Sequence, residues 1–357
     1  METPSTLADD KDLFPRHLGR KLVPVVVVAI AAYLALFLLA DADATVREMS
    51  RVSGRAIVFA CLLSLASFFL RAVRWHALLR RVRSNVPFTD GVLVSFVGLA
   101  MTITPAKAGE VIKSLLLKDS FEVPVAQSAP IVMFERLADL VAVVLLGGVA
   151  LMFVPGALAP GIVTVVGGVV LALLVGFLPR VFDYIPARVL NARLVAPRRA
   201  KLQSSFEALG ALVVPSAYLP ALGLSLVAWG IQSVTVWLLA QAFPEFAISV
   251  VDGIVAYCAP LLAGALALVP GGLGATEASM AGMLVVLAGS SSALSVAAAL
   301  TVLVRLVTFW LAVIVGLVAL GAWRLRRARV ARARGYDSVR PPPRASHASL
   351  TPEKLQD

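Results

Sequence analysis

Two glutamates in this chain stand beside clusters of proline and glycine, and an arginine follows each at a similar distance. Glu110 lies in Pro105-Ala106-Lys107-Ala108-Gly109-Glu110-Val111-Ile112-Lys113, and Glu277 closes Pro270-Gly271-Gly272-Leu273-Gly274-Ala275-Thr276-Glu277. Arg136-Leu137 comes 26 residues after the first and Arg305-Leu306 comes 28 after the second. Glu135 and Asp139, four apart, share one face of a helix, with Arg136 beside them. Acids and bases gathered in one cavity suit a zwitterionic or anionic lipid headgroup. Arginines and helix N-termini hold phosphate, and carboxylates hold an amine or sugar hydroxyls. The candidate headgroup contacts are therefore Lys107, Glu110, Lys113, Glu135, Arg136, Asp139, Glu277 and Arg305. A rival chemistry is a membrane-embedded glycosyl or acyl transferase that uses Glu277 or Glu135 as general base. No metal, nucleotide or nucleophile motif accompanies these acids, so an enzyme is not expected, nor a cofactor. His17, His76 and His347 are too scattered to bind a metal.

Each residue also has a plainer reading. Glu277 can be a first-turn acid favoured by the helix dipole in a loop at the membrane face. Glu135 to Asp139 can lie at the cytoplasmic interface, where charge costs little. Against that, Leu140 to Val154 alone would rise only about 22 Å, short of the ~30 Å of hydrocarbon, so at least Asp139 should enter the bilayer. Arg305 falls near the middle of the last apolar run. A central charge costs about 2.5–3.5 kcal/mol on insertion scales, so Arg305 needs a partner, and Glu277 and Glu110 are the candidates.

The elements that must position these groups are membrane helices. The chain is 59% hydrophobic and 15% charged, with apolar runs long enough to cross a bilayer and none of the ten-residue alternation of a membrane barrel. The net charge of +11 lies beside the hydrophobic segments, which points to topology and anionic headgroups rather than to nucleic acid. Cys61 and Cys258 sit inside apolar runs and read as packing residues. No polar stretch is long enough to form a soluble domain with its own core.

In order, residues 1–21 form a polar cytoplasmic segment, and Leu22 to Ala40 exceeds a signal-peptide core and reads as an uncleaved first helix. A second helix is expected from about Ala56 to Leu70, ending in Arg71-Ala72-Val73-Arg74-Trp75. Arg71, Arg74 and Trp75 read there as interface anchors, with snorkelling guanidiniums and the indole at headgroup level. Gly91 to Thr104 is barely long enough to span. With the break at Pro105 and Gly109 and the short arm to Lys118, it suggests a re-entrant hairpin. The next helix is expected to open at Glu135 and run to about Val154, and another returns through Gly161 to Leu178.

The basic loop at 179–208 (Arg180, Arg188, Arg193, Arg198, Arg199, Lys201) is expected in the cytoplasm; its Phe182, Tyr184, Ile185, Val189 and Leu190 leave open an amphipathic surface piece or a plain connector. Pro215 and Pro220 put the start of the following span near Tyr218, and the loop with Glu245 fits the outer face. Val251 to Val269, the break at Pro270, Gly271, Gly272 and Gly274, and an arm to about Ala288 form a second hairpin, followed by a last helix from Leu294 to Leu320. The tail at 324–357 is basic, then Pro-rich, with a disordered end expected.

The expected fold is thus an all-α polytopic membrane protein. It has about seven spanning helices and two re-entrant helical hairpins, arranged as an inverted repeat with halves at about 22–178 and 209–323. Such repeats carry the transport site at their interface. Both termini come out cytoplasmic.

Arg71 to Trp75, Pro105 through Lys113, Glu135 to Asp139 and Pro270 through Glu277 occur in the order of the hallmark blocks of the flippase-like family named for the transmembrane region of lysylphosphatidylglycerol synthase. The sequence resembles that family over about residues 20 to 325. Lys107 departs from it, at a position where arginine is more usual. The resemblance implies a stand-alone transmembrane domain in the cell membrane, without the soluble aminoacyl-transferase domain, that moves a phospholipid, glycolipid or polyprenyl-phosphate-linked lipid. Membrane lipids are then the partners, together with a separate lipid-modifying or glycosyltransferase enzyme or a second copy of the chain. A third reading, a scaffold for a cell-envelope synthase, would depend on the tail from Arg324 onward, whose deletion a translocator should tolerate.

Overall fold

The computed structural model describes residues 41–82, 84–104, 109–184, 199–244, 246–289 and 294–339, the side chains of 182–184 and 331–339 excepted. The expected first helix at Leu22–Ala40, the segment 1–21, Arg83, Pro105, Lys107, Arg188, Arg193, Arg198, Ile185, Val189, Leu190, Glu245 and the Pro-rich end of the tail lie outside these residues.

Every element found among the described residues is helical. The order is α1 (Ala42–Arg51), α2 (Gly54–Arg81), α3 (Phe88–Leu99) with a 3₁₀ turn at Ala100–Ile103, α4 (Ile112–Phe121), α5 (Val125–Leu151), α6 (Leu158–Phe177) with a 3₁₀ stretch at Leu178–Tyr184, α7 (Arg199–Val213), α8 (Pro215–Ala240), α9 (Val250–Leu266), a 3₁₀ turn at Pro270–Gly272, α10 (Ala275–Ala288), α11 (Leu294–Arg305), a π turn at Leu306–Trp310, and α12 (Leu311–Val339). Five apolar stretches are long enough to cross a membrane: Gly54–Arg81, Leu158–Val181, Pro215–Ala240, Pro270–Ala288 and Leu294–Val330. The fourth reaches that length only by counting through the glycine break, since its regular part, α10, has 14 residues. In contrast, α5 has 27 residues, about 40 Å at 1.5 Å per residue, and falls outside the class because it carries Glu135, Arg136 and Asp139.

Several boundaries differ from the sequence expectation. α2 runs on to Arg81, so Arg71, Arg74 and Trp75 lie within a helix and are buried in the protein. α5 begins at Val125, after Pro124, and so places Glu135 in mid-helix. Pro130 sits in its second turn, where little of the hydrogen-bond ladder is lost. Beyond these, the last helix does not end at Leu320 but continues to Val339.

The halves pack reciprocally. α2 and α8 run antiparallel, with rungs at Arg81–Ser216, Arg74–Ser225 and Ser67–Gln232. α5 lies on α9, and α12 lies on α3. The two ends of the first broken arm meet neighbouring arginines of α12: Arg326 binds Asp90 at 2.9 Å and Arg327 binds Asp119 at 3.1 Å. That arm therefore leaves and returns at one level. The second also folds back, with α9 packed against α10. The breaks themselves touch, and Ile103, Leu273 and Phe309 form a small apolar cluster there.

Gly316 lets α12 approach the end of α3. A Cβ at that position would meet the Ala100 backbone nitrogen at 2.1 Å and the Leu99 carbonyl carbon at 2.8 Å. Neither can swing aside. Gly316→Ala should lower stability by about 1–3 kcal/mol through overpacking, read as a fall in the unfolding midpoint of the detergent-solubilised protein. Gly282→Ala, with nothing within 4 Å of the added carbon, should leave the midpoint unchanged or higher.

Candidate functional site

Three elements bring six charges of alternating sign into a closed ring. α2 contributes Arg74, the turn into α4 contributes Glu110, α4 itself contributes Lys113, and α5 contributes Glu135, Arg136 and Asp139. Arg74 Nη1 donates to Asp139 Oδ1 at 2.5 Å, and its Nη2 donates to Glu135 Oε1 at 3.2 Å. Lys113 Nζ lies 2.7 Å from Glu135 Oε2 and 3.3 Å from Glu110 Oε2. Arg136 Nη2 closes the circuit, 3.2 Å from Glu110 and 3.4 Å from Asp139. Ser225 of α8 accepts a further hydrogen bond from Arg74. Arg71, one turn before Arg74, reaches Asp139 at 3.5 Å as a fourth cation.

The second centre is smaller. Arg305 Nε donates to Glu277 Oε1 at 2.7 Å, and its Nη2 donates to the carbonyl of Gly271 at 3.0 Å. The other oxygen of Glu277 accepts from the Gly274 amide at 2.7 Å. Glu277 thus serves both as the first-turn acid and as the partner of a buried cation. Gly271 and Gly274 take φ of 62° and 86°, in the region that favours glycine. The backbone that they bend is held by the ion pair. The π turn that follows Arg305 brings the Phe309 ring beneath its guanidinium, 4.2 Å from the centroid. Arg71 lies likewise over Trp229 at 4.9 Å, and Lys113 over Trp75 at 4.2 Å. Aromatic faces there take the place of water.

A cavity of about 350 Å³ lies between the two breaks. Thr102 and Thr104 line it from the first, Gly271, Gly272 and Thr276 from the second, and Arg136 and Asp139 from α5. Leucine and valine side chains of α5, of α9 and of the turn after α9 supply most of the remaining wall. A smaller cavity of about 60 Å³ adjoins it and shares Thr102, Trp229, Leu261 and Gly271.

Of the sequence candidates, Glu110, Lys113, Glu135, Arg136 and Asp139 come together in the ring, and Glu277 meets Arg305. Lys107 and Pro105 lie outside the described residues. Glu110 is not the partner of Arg305: it faces Lys113 and Arg136, because the first break docks against α5. The three residues read as interface anchors are buried, with Arg74 and Trp75 at 1% and 0% exposure, and Arg71 and Arg74 pair with the acids of α5. Sequence reasoning missed Ser225, Trp229 and Gln232 of α8. No local signal marks them, since a serine, a tryptophan and a glutamine inside a long apolar helix are ordinary packing residues.

Residues 23–316 match the family model described as the lysylphosphatidylglycerol synthase TM region. The chain is also similar to the UPF0104 membrane protein PH1989 of Pyrococcus horikoshii, at 22% identity over 319 residues, which make up 82% of this chain and 94% of that protein. With its long apolar helices, the protein is a multi-pass membrane protein.

Removing one member of the ring leaves an opposite charge stranded in a low-dielectric interior. Arg74→Met should cost about 3–5 kcal/mol, whereas joint replacement of Arg74 by Met and Glu135 by Gln, which leaves the other four members of the ring neutral, should restore much of the loss. The check is the unfolding midpoint of the single and double variants, with the single variant expected to be the lower.

Proposed function

The chain belongs to the lysylphosphatidylglycerol synthase transmembrane-region family, and from that premise we propose that it translocates a polar-headgroup lipid, a phospholipid, glycolipid or polyprenyl-phosphate-linked lipid, across the cytoplasmic membrane. The observation that carries this reading is the larger cavity. Its lining is mostly apolar, and α5 adds Arg136 and Asp139, which present both signs, among those apolar side chains. A headgroup at Arg136 and Asp139, with the start of its hydrocarbon against the surrounding leucines and valines, would fill it. Unaided, such a headgroup crosses slowly because it must be desolvated.

The fold reading that goes with this function has about seven spans and two re-entrant hairpins in an inverted repeat, with both termini in the cytoplasm. The antiparallel α2–α8 pair, the reciprocal packing of α5 on α9 and of α12 on α3, and the meeting of the breaks support it. Each hairpin would gate the cavity from one membrane face. The first is tied to α5 through Glu110 and Lys113, the second to α11 through Glu277. A lipid that supplies charges of its own can replace one of these ties and so favour the opened state, which is the differential affinity that a population shift needs. The cycle has no covalent step. Truncation from Arg324 does not separate this reading from a scaffold, because Arg326 and Arg327 brace the first hairpin.

The test is reconstitution in vesicles that contain fluorescent lipids of several headgroups, with transfer read by quenching of the outer leaflet. The wild-type chain should move at least one of these lipids ten times faster than the Glu277→Gln, Arg305→Ala double variant. Equal rates for the two proteins would end the proposal.

A further inference from the structure

The smaller cavity has a lining unlike that of its neighbour. Two guanidiniums from opposite halves of the chain, Arg71 and Arg305, face it together with the amide of Gln232, and among the described residues no carboxylate does. All three residues are more than nine-tenths buried. Their donors are only partly used among the described residues. Arg71 engages Asp139 through Nη2 alone, and Arg305 engages Glu277 and Gly271 through Nε and Nη2. Gln232 accepts from Ser67 through Oε1, which leaves its NH₂ group to donate. Stacking on Trp229 and Phe309 occupies the faces of the two guanidiniums and leaves their N–H edges for ligands. The charge balance points the same way. The six-membered ring is neutral, Glu277 offsets Arg305, and Arg71 remains as the surplus cation among these groups.

We propose that this cavity, between Arg71 and Arg305, is a seat for a phosphate-type oxyanion. Its volume of about 60 Å³ leaves room for a few waters or one tetrahedral anion. Guanidinium edges and an amide are the donors that such an anion takes. The walls shared with the larger cavity let the rest of a phosphorylated ligand extend there, with its phosphate at Arg71 and Arg305 and its apolar part against α5 and α9. The choice of a lipid as the source of the phosphate rests on the translocator reading. The seat itself does not.

The experiment uses the full chain in neutral detergent and measures binding by calorimetry and by Trp fluorescence. The probes are inorganic phosphate and a short-chain phosphatidylglycerol, with chloride at matched ionic strength and a short-chain diacylglycerol as controls. Gln232→Glu is the decisive variant. It keeps the shape of the side chain while placing a carboxylate between the two arginines, so the fold should persist and the unfolding midpoint should not fall. Wild type should bind at least one probe saturably, and Gln232→Glu and Arg305→Gln should each weaken that binding at least tenfold. Displacement of the lipid by phosphate, or lipid binding alone that Gln232→Glu abolishes, assigns the seat to a headgroup. Binding of phosphate alone assigns it to a free anion. No saturable binding beyond the controls, or equal binding by wild type and Gln232→Glu, overturns the proposal. The vesicle assay separates the two readings. Transport without binding removes the seat and keeps the translocator, and binding without transport does the reverse.

Discussion

Charge that cannot reach water must be answered by charge, and the closed ring through Arg74, Glu135, Lys113, Glu110, Arg136 and Asp139 is that answer here. Nine ionisable side chains gather in the ring, at Arg71 and in the Arg305–Glu277 pair, eight of them buried. Unpaired in hydrocarbon, they would cost about 20 kcal/mol or more on insertion scales, beyond the roughly 5–15 kcal/mol of net stability of a whole protein. Closure sets the architecture. It fixes the register of α2 against α5, because Arg74 must reach two acids one turn apart. It also draws the first broken arm inward, because Glu110 and Lys113 complete the circuit.

The broken backbone and the buried charges answer each other's needs. An interrupted helix at membrane depth leaves amides and carbonyls without intrahelical partners. At the second break the Gly274 amide is taken by Glu277 and the Gly271 carbonyl by Arg305, so one ion pair satisfies both. At the first, the Gly109 amide donates to Thr104 Oγ1 at 2.9 Å. The same polar groups would find no use beside an uninterrupted helix, and the glycine turns would be costly without them.

What the sequence made legible follows from this mutual need. Proline, glycine and a glutamate within eight residues signal a break by local chemistry alone, and a lone arginine in an apolar run demands an acid. From sequence the partner of Arg305 could therefore be narrowed to Glu277 or Glu110. Arg71 and Arg74 could not be placed, because arginine after fifteen apolar residues looks like a membrane boundary. Their acids lie 61 to 68 residues away in α5, beyond any local pattern. The start of α5 was hidden for a related reason. The polar residues from Glu135 onward marked the helix start, while Ile131 and Phe134 before them bury their side chains fully against the core. In each case a tertiary contact overrode the local signal.

The two breaks differ in how they are secured, and that difference bears on the translocator reading. Among the described residues the first is held by several links, through Lys113, Arg136 and the α12 arginines, and the second by a single ion pair with one backbone hydrogen bond. A ring of alternating charge can lose one link while its other contacts persist, so opening it proceeds by steps. A lone pair opens in one. Under that reading a headgroup carrying both signs can replace ring links one after another, and each replacement keeps the desolvated charges answered. The second break offers no such sequence: Arg305 must exchange Glu277 and Gly271 for the ligand together, or keep them while its remaining edge serves it. The retained contacts, and an Nη1 with no partner among the described residues, favour the latter, so that Arg305 can hold a ligand without first releasing the backbone it supports.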